Sequence, residues 1–221
     1  MKKENEFRKR LDRFLPPYAR PWIIGTIAVI FFVYYGSRLI SDGLFHHNIM
    51  LPVDDKIPFI PAFIIVYVLA FPFWIFNGIL VARESKETCS QVLSAVILAK
   101  IVCGVIYIFY PTTMTRPEVT GTDFFSWLTR LIYWIDKPYN LMPSIHCMDS
   151  WFCWRGLFGC KKVPQWYKKF SFAFAILISL STLFVHQHVI IDVPTGILMA
   201  EAGLFLTKKI FSQKSKRGET L

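Results

Sequence analysis

Long apolar stretches recur along the chain, separated by short polar loops. Several of them show no polar face for about 20 residues, the length of helix that crosses a hydrocarbon core of about 30 Å. Six stretches of this kind are predicted as membrane spans, at about residues 22–40, 58–81, 89–109, 144–159, 170–185 and 189–206. The pattern therefore predicts an all-α fold, a bundle of six transmembrane helices.

The composition favours the same class. Apolar residues make up 54% of the chain and its mean hydropathy is +0.42, more apolar than a soluble domain of this length. The formal net charge of +10 is weak evidence for a nucleic-acid partner, because most of the 25 lysines and arginines fall in loops on one side of the predicted spans. The positive-inside rule places that side in the cytoplasm. We expect a multi-pass cell-membrane protein with both termini cytoplasmic and no nucleic-acid partner.

Three segments are predicted from this layout. Residues 1–20 form a basic, amphipathic cytoplasmic segment, residues 21–207 the membrane domain, and residues 208–221 a basic cytoplasmic tail. The sequence leaves the oligomeric state open.

One further amphipathic helix is predicted in the third loop on the extracytoplasmic side, at residues 122–135. Its apolar positions follow helical spacing, and Thr122 or Asp123 is a candidate N-cap. They are Phe124, Phe125, Leu128, Leu131, Ile132 and Ile135. Nearby tryptophans favour a helix in the headgroup layer. The alternative is a helix packed against the bundle.

Ionisable groups gather at the extracytoplasmic ends of the predicted spans. Arg116 follows the third span, His146 and Asp149 begin the fourth, and His188 and Asp192 lie between the fifth and sixth. Such groups are costly at membrane depth and usually functional. Three loops distant in sequence are thus expected to form one polar site.

The spacing of these residues suggests their chemistry. His188 and Asp192 are four residues apart, so on a helix the carboxylate would accept from one ring nitrogen and leave the other free as a nucleophile or base. Ser144 is a candidate cap of the fourth span, whose first amides would bind an anion beside His146, a candidate proton donor. Arg116 offers a two-pronged phosphate donor. Together they predict phosphoryl transfer on a lipid headgroup.

Other interpretations stay open for single residues. A metal could be held by His146, His188 and Asp192, but no cysteine ligand set supports it, and the expected site is free of metal and cofactor. Asp149 either orients His146 or serves as a polar cap. Lys100, near the middle of the third span, is interpreted as structural or snorkelling. His186 is interpreted as structural.

At these residues the chain resembles the type 2 phosphatidic acid phosphatase superfamily. The matching motifs are Arg116–Pro117, then Pro-Ser-Ile-His at residues 143–146, then Ser-Thr at 181–182 followed by His188 and Asp192. The resemblance spans about residues 100–195. It implies that His188 attacks phosphorus to form a phosphohistidine stabilised by Asp192, and that His146 protonates the departing oxygen. Arg116 and the amides around Ser144 would hold the phosphoryl oxygens.

Three positions depart from the family pattern. Phe109 replaces the motif lysine, Thr182 the motif arginine and Ile145 the motif glycine. Because a phosphomonoester carries nearly two negative charges and a diester one, the missing cations favour a diester donor. The sphingomyelin synthase and inositol phosphorylceramide synthase branch, which the chain also resembles, moves such headgroups between lipids.

The sequence therefore predicts an enzyme, an integral-membrane lipid phosphatase or phosphotransferase that acts on a phospholipid headgroup at the outer membrane face. The lipid and the acceptor stay open. The alternative is a non-catalytic lipid-binding or transport protein with a degenerate site. A proton-coupled transporter is disfavoured, because it would need a series of ionisable groups through several spans, and Lys100 is the residue interpreted as lying deep in the membrane.

Overall fold

The computed structural model describes residues 6, 12 and 14–216 of the chain. These residues are mostly helical. The helices are α1 Pro17–Ser41, α2 Ile64–Glu84, α3 Lys86–Phe109, α4 Phe124–Ile135, α5 Ile145–Gly156, α6 Gln165–Phe184 and α7 Asp192–Lys216. Two short parallel strands, β1 His47–Asn48 and β2 Thr112–Thr113, join two of the loops. The all-helical prediction is confirmed.

Four helices of the described chain, α1, α2, α3 and α6, are long and apolar enough to cross a membrane. The predicted fourth span is instead the 12-residue α5 followed by a short 3-10 turn, Leu157–Gly159. Twelve residues rise only about 18 Å, less than the hydrocarbon core. The predicted sixth span lies in α7, whose 25 residues include Glu201, Lys208 and Lys209. Six spans, and the side on which the termini lie, remain predictions.

The predicted terminal segments are only partly described. Most of residues 1–20, and residues 217–221 of the predicted basic tail, lie outside the described residues. Residues 208–216 continue α7, and the division of the chain into three segments remains a prediction.

Short polar side chains set where three helices begin. Ser85, Asp123 and Ser144 precede α3, α4 and α5, and each accepts from a backbone N–H of the first turn. Such caps satisfy amides that have no partner inside the helix. The Ser144 cap fixes where α5 starts and therefore places His146 on its first turn.

Helix α3 packs against α1, α2 and α7, and α5 packs against α2, α6 and α7. A core of small and apolar side chains joins α1, α3, α5 and α7, and includes Ala95, Ala99, Met148 and Ala200. At Gly196 an added Cβ would lie 2.5 Å from the carbonyl oxygen of Ser144. The start of α7 therefore lies against the start of α5, which only a glycine permits.

Loop hydrogen bonds hold one end of the bundle together. β1 pairs with β2, and the backbone N–H of Asn140 donates to the carbonyl of Thr112 at 2.8 Å. The backbone N–H of Ile190 donates to the carboxylate of Asp54 at 2.8 Å. These contacts gather the ends of α1, α3 and α6 and the starts of α5 and α7 at the same place.

The predicted amphipathic helix is present as α4, with Asp123 as its N-cap. Leu128 and Ile132 contact a cluster that includes Tyr67, so one side of α4 lies on the bundle. Trp127 and Trp134 are exposed. The alternative, a helix packed against the bundle, is therefore correct for one side of α4. The position of α4 in a headgroup layer remains a prediction.

Candidate active site

A cavity of about 650 Å³ lies between α1, α2, α3 and α5. Its wall includes Arg116, His146 and His188, three of the five predicted site residues. Away from them the wall is mostly apolar, with Ile23, Ile27 and Ile30 along one face of α1. The structure therefore joins a polar cluster to a long apolar groove.

His188 and Asp192 are in contact, as their spacing predicts. The carboxylate Oδ2 of Asp192 lies 2.9 Å from Nδ1 of His188 and also accepts from the backbone N–H of Val189 at 3.1 Å. The predicted helical geometry is wrong, because α7 begins only at Asp192. His188 lies in the preceding turn, where its backbone N–H donates to the carbonyl of Thr182 at 3.1 Å. The end of α6 thus fixes His188, and the start of α7 fixes its carboxylate.

His146 faces His188 across the cavity. The two ring centroids are 5.8 Å apart and the rings are tilted by 59°. On its other side, the ring of His146 stacks on Tyr67, with centroids 4.3 Å apart, and lies near Trp74. Nε2 of His146 is buried and has no hydrogen-bond partner. Aromatic packing, rather than a polar partner, holds this imidazole in place.

Arg116 lies at the same end of the cavity. Its guanidinium donates to the backbone carbonyl of Asp136 at 2.6 Å and to the side-chain oxygen of Gln187. It lies over the ring of Tyr133, 4.5 Å from the centroid. Burial lowers the pKa of Arg116 from its ordinary value, and the nearby Asp136 opposes that shift. An arginine remains a cation even so.

Ser144 is fully buried and does not line the cavity. Its hydroxyl caps α5, accepting from the N–H of Cys147 at 3.3 Å, and its backbone N–H donates to the carbonyl of Asp192 at 3.3 Å. It therefore ties the helix of His146 to the helix of Asp192. Ile145 and His146 are the first residues of α5 that line the cavity.

Gln187 is a site residue that the sequence interpretation missed. It is 2% exposed, accepts from Arg116, and leaves its buried Nε2 without a partner. It also lines the cavity. In the sequence, the feature that could have indicated a role for Gln187 is its position between His186 and His188.

Lys100 and Asp149 form an ion pair inside the bundle, with Nζ 2.5 Å from Oδ2. The lysine side chain is 1% exposed, so it does not snorkel to an interface. Asp149 is not the cap of α5, which is Ser144. Both residues line the cavity, and Oδ1 of Asp149 has no hydrogen-bond partner.

Two cations away from the motif positions Phe109 and Thr182 line the cavity. Phe109 is 83% exposed, and the buried Thr182 donates to the carbonyl of Ser179; neither lines the cavity. Arg38 and Lys137 do line it, at the end that holds Arg116. Asp136 lines the same end, so the wall there combines these cations with a carboxylate.

His186, two residues before His188, does not line the cavity. Its Nε2 lies 3.2 Å from the carbonyl of Ile57, and its ring meets the ring of Phe59 edge-on. Burial lowers its pKa, and the carbonyl contact opposes the shift. These contacts agree with a structural role.

Among the residues described, no group of three histidine, cysteine or acidic side chains could hold a metal ion. The five cysteines are free and buried.

No protein-family model, curated protein or solved structure matches the chain.

Proposed function

We propose that this protein is an integral-membrane enzyme that cleaves or transfers a phosphoryl headgroup of a lipid through a phosphohistidine on His188. The reaction would take place at the extracytoplasmic face of the cell membrane. The observation that carries the proposal is the pair of imidazoles, 5.8 Å apart across one cavity, one of them hydrogen-bonded to a buried carboxylate.

The hydrogen bond to Asp192 decides which nitrogen of His188 reacts. Since Nδ1 contacts the carboxylate, the proton stays on Nδ1 and the lone pair of Nε2 is free. Nε2 attacks phosphorus, the bond from phosphorus to the lipid oxygen breaks, and that oxygen takes the electron pair. His146 gives the oxygen a proton.

In the second step His146 acts as a base instead of an acid, and His188 is the leaving group instead of the nucleophile. His146, now neutral, takes a proton from water or from a hydroxyl of an acceptor lipid, whose oxygen attacks phosphorus. The bond from phosphorus to Nε2 breaks and its electron pair returns to His188. Throughout, Asp192 stabilises the charged ring, and Arg116 with the unpartnered amide nitrogen of Gln187 provides donors for phosphoryl oxygens.

The shape of the groove supports a lipid substrate. The residues of α1 that line it run from Ile23 to Arg38, a rise of about 22 Å along the helix. That exceeds one leaflet of hydrocarbon, which is half of about 30 Å. The hydrocarbon chain of a lipid would lie along the isoleucines of α1, while the phosphate of that lipid would lie between the imidazoles of His146 and His188.

Hydrolysis and transfer both stay within the proposal. The family positions without cations favour a diester donor, whereas Arg38 and Lys137 at the polar end of the cavity supply charge for a monoester. A panel of phosphatidic acid, prenyl diphosphate, phosphatidylinositol and phosphatidylcholine, each with and without a hydroxyl-lipid acceptor, separates the two reactions.

Purified protein is expected to release phosphate or headgroup from at least one of these lipids without added metal. His188→Asn should abolish that release. His186→Asn is the matched control, because it changes the same residue type two positions away, outside the cavity, and should keep most of the activity. Equal activity of the two variants would reject His188 as the nucleophile, and no activity on any lipid would favour a lipid-binding protein without catalysis.

A further inference from the structure

The ion pair of Lys100 and Asp149 takes no part in the proposed reaction, yet it lines the same cavity. The two residues lie 49 positions apart in sequence, on α3 and α5. Burying two charges is costly, and a pair that is only structural can often be replaced by apolar residues without loss. Its position on a cavity wall suggests that it contacts a ligand.

Both residues of the pair have hydrogen-bonding groups that the ion pair does not use. Oδ1 of Asp149 is buried and accepts no hydrogen bond. An ammonium group has three donors, and the ion pair uses one of those of Lys100. The cavity wall therefore presents an acceptor and a donor side by side.

The charges of the pair limit what can bind there. The lysine disfavours a cationic group, and the aspartate disfavours an anionic one. A carbonyl would accept from Lys100 and leave Oδ1 of Asp149 unpaired. A hydroxyl satisfies both, because one oxygen can donate to the carboxylate and accept from the ammonium.

The position along α5 relates this group to the reacting phosphate. Asp149 follows His146 by three residues, a rise of about 4.5 Å along α5, and both residues line the cavity. A group beside Asp149 is therefore close to the phosphorus and still on the polar end of the lipid. We infer that Lys100 and Asp149 bind a hydroxyl of the lipid that does not itself react, on a carbon next to the phosphate-bearing one. The inference rests on the proposed function, and it specifies the substrate class as a hydroxyl-bearing phospholipid.

Two non-hydrolysable phosphonates test this directly: the phosphonate analogue of 1-acyl-glycerol 3-phosphate, which keeps the free 2-hydroxyl, and its 2-deoxy counterpart. Wild-type protein in lipid nanodiscs should bind the hydroxyl probe about tenfold or more tightly than the deoxy probe, since a hydrogen bond to a charged group is at stake. Asp149→Asn should reduce that ratio towards one by weakening the hydroxyl probe.

Glu201→Gln is the matched control. It also removes the charge of a carboxylate that pairs with a cation, here Arg155, but Glu201 does not line the cavity. It should leave the binding ratio unchanged.

Equal affinity of wild-type protein for the two probes, or no binding of either, would overturn the inference, and this comparison does not depend on how well any variant folds. A preference for the hydroxyl probe in a protein that turns over no lipid would instead reject the proposed reaction and keep the hydroxyl site. Lipid turnover with equal probe affinities would reject the hydroxyl site alone.

Discussion

Two carboxylates lie inside the bundle near His146, the fully buried Asp192 and the mostly buried Asp149, and they have different neighbours. Asp192 is fully buried, holds Nδ1 of His188 and does not line the cavity. Asp149 holds Lys100 and does line it. Each has one oxygen without a hydrogen-bond partner, but only that of Asp149 belongs to a residue of the cavity wall.

Under the proposals made above, this difference separates a positioning residue, Asp192, from a ligand-binding one, Asp149. Asp192 can act on a substrate only through the ring of His188, so it should affect the rate of the chemical step. Asp149 can contact a ligand directly or through Lys100, so it should affect which ligand binds. The role expected of each carboxylate therefore depends on whether the residue lines the cavity.

Asp192→Asn should have the largest effect. The amide has no negative charge, so it no longer stabilises the charged ring of the phosphohistidine, even where its oxygen keeps the contacts of Oδ2 with Nδ1 of His188 and the N–H of Val189. By analogy with other histidine–aspartate pairs, kcat should fall about 10²- to 10⁴-fold. Because the substrate does not touch Asp192, KM should change little. Steady-state kinetics on the best lipid of the panel measure both, and a rise in KM at constant kcat would assign Asp192 to binding instead.

Gly196→Ala should come next. The added methyl would lie 2.5 Å from the Ser144 carbonyl, so α7 must move away from α5 and take Asp192 with it. Overpacking of this kind costs about 1–3 kcal/mol. We expect a lower thermal unfolding midpoint in detergent together with reduced activity.

Gly78→Ala in α2 is the control for this substitution. A Cβ added at Gly78 would meet no other side chain or neighbouring helix within 4 Å, so the midpoint of this variant should not fall. Equal midpoints for the two variants would contradict the close contact between α5 and α7.

Arg38→Gln should have a moderate effect that depends on substrate charge. Arg38 lines the polar end of the cavity, where it would attract a dianionic monoester more than a diester. KM for a monoester should rise about threefold to tenfold and become less sensitive to salt, as expected for a partly exposed charge. Arg83→Gln, near the C-terminal end of α2 and outside the cavity wall, should do neither. A KM that rises equally for both ester types would rule out this charge preference.

Replacing both Trp127 and Trp134 by alanine should have the smallest effect on the chemistry. Both side chains are exposed on α4, while Leu128 and Ile132 hold that helix to the bundle. If α4 guides lipid from the headgroup layer into the cavity, activity on bilayer substrate should fall several-fold more than activity on a short-chain soluble substrate. Equal losses on the two substrates would argue against that role.

The sequence predicts most of the helices because their apolar runs are long. It locates the predicted fourth span correctly, at residues 144–159, but the helix there has only 12 residues and a short 3-10 turn, so its role as a membrane span remains a prediction. It predicts the contact of His188 with Asp192 from local spacing, although a turn rather than a helix makes it.

Contacts between distant segments are not visible in local patterns. Nothing near Lys100 indicates that its partner is Asp149, 49 residues away. Arg38 and Lys137 reach the cavity only because the ends of α1 and α4 meet there. Such pairings depend on how the helices pack, which one sequence does not specify.

The central claim, a phosphohistidine on His188, is tested most directly by trapping it. Protein is mixed with a lipid labelled at phosphorus, quenched in denaturing alkali within the first turnover, and digested for peptide mapping. Label is expected on His188 and absent from His188→Asn. Turnover without any labelled protein, or label on another residue, would contradict the account.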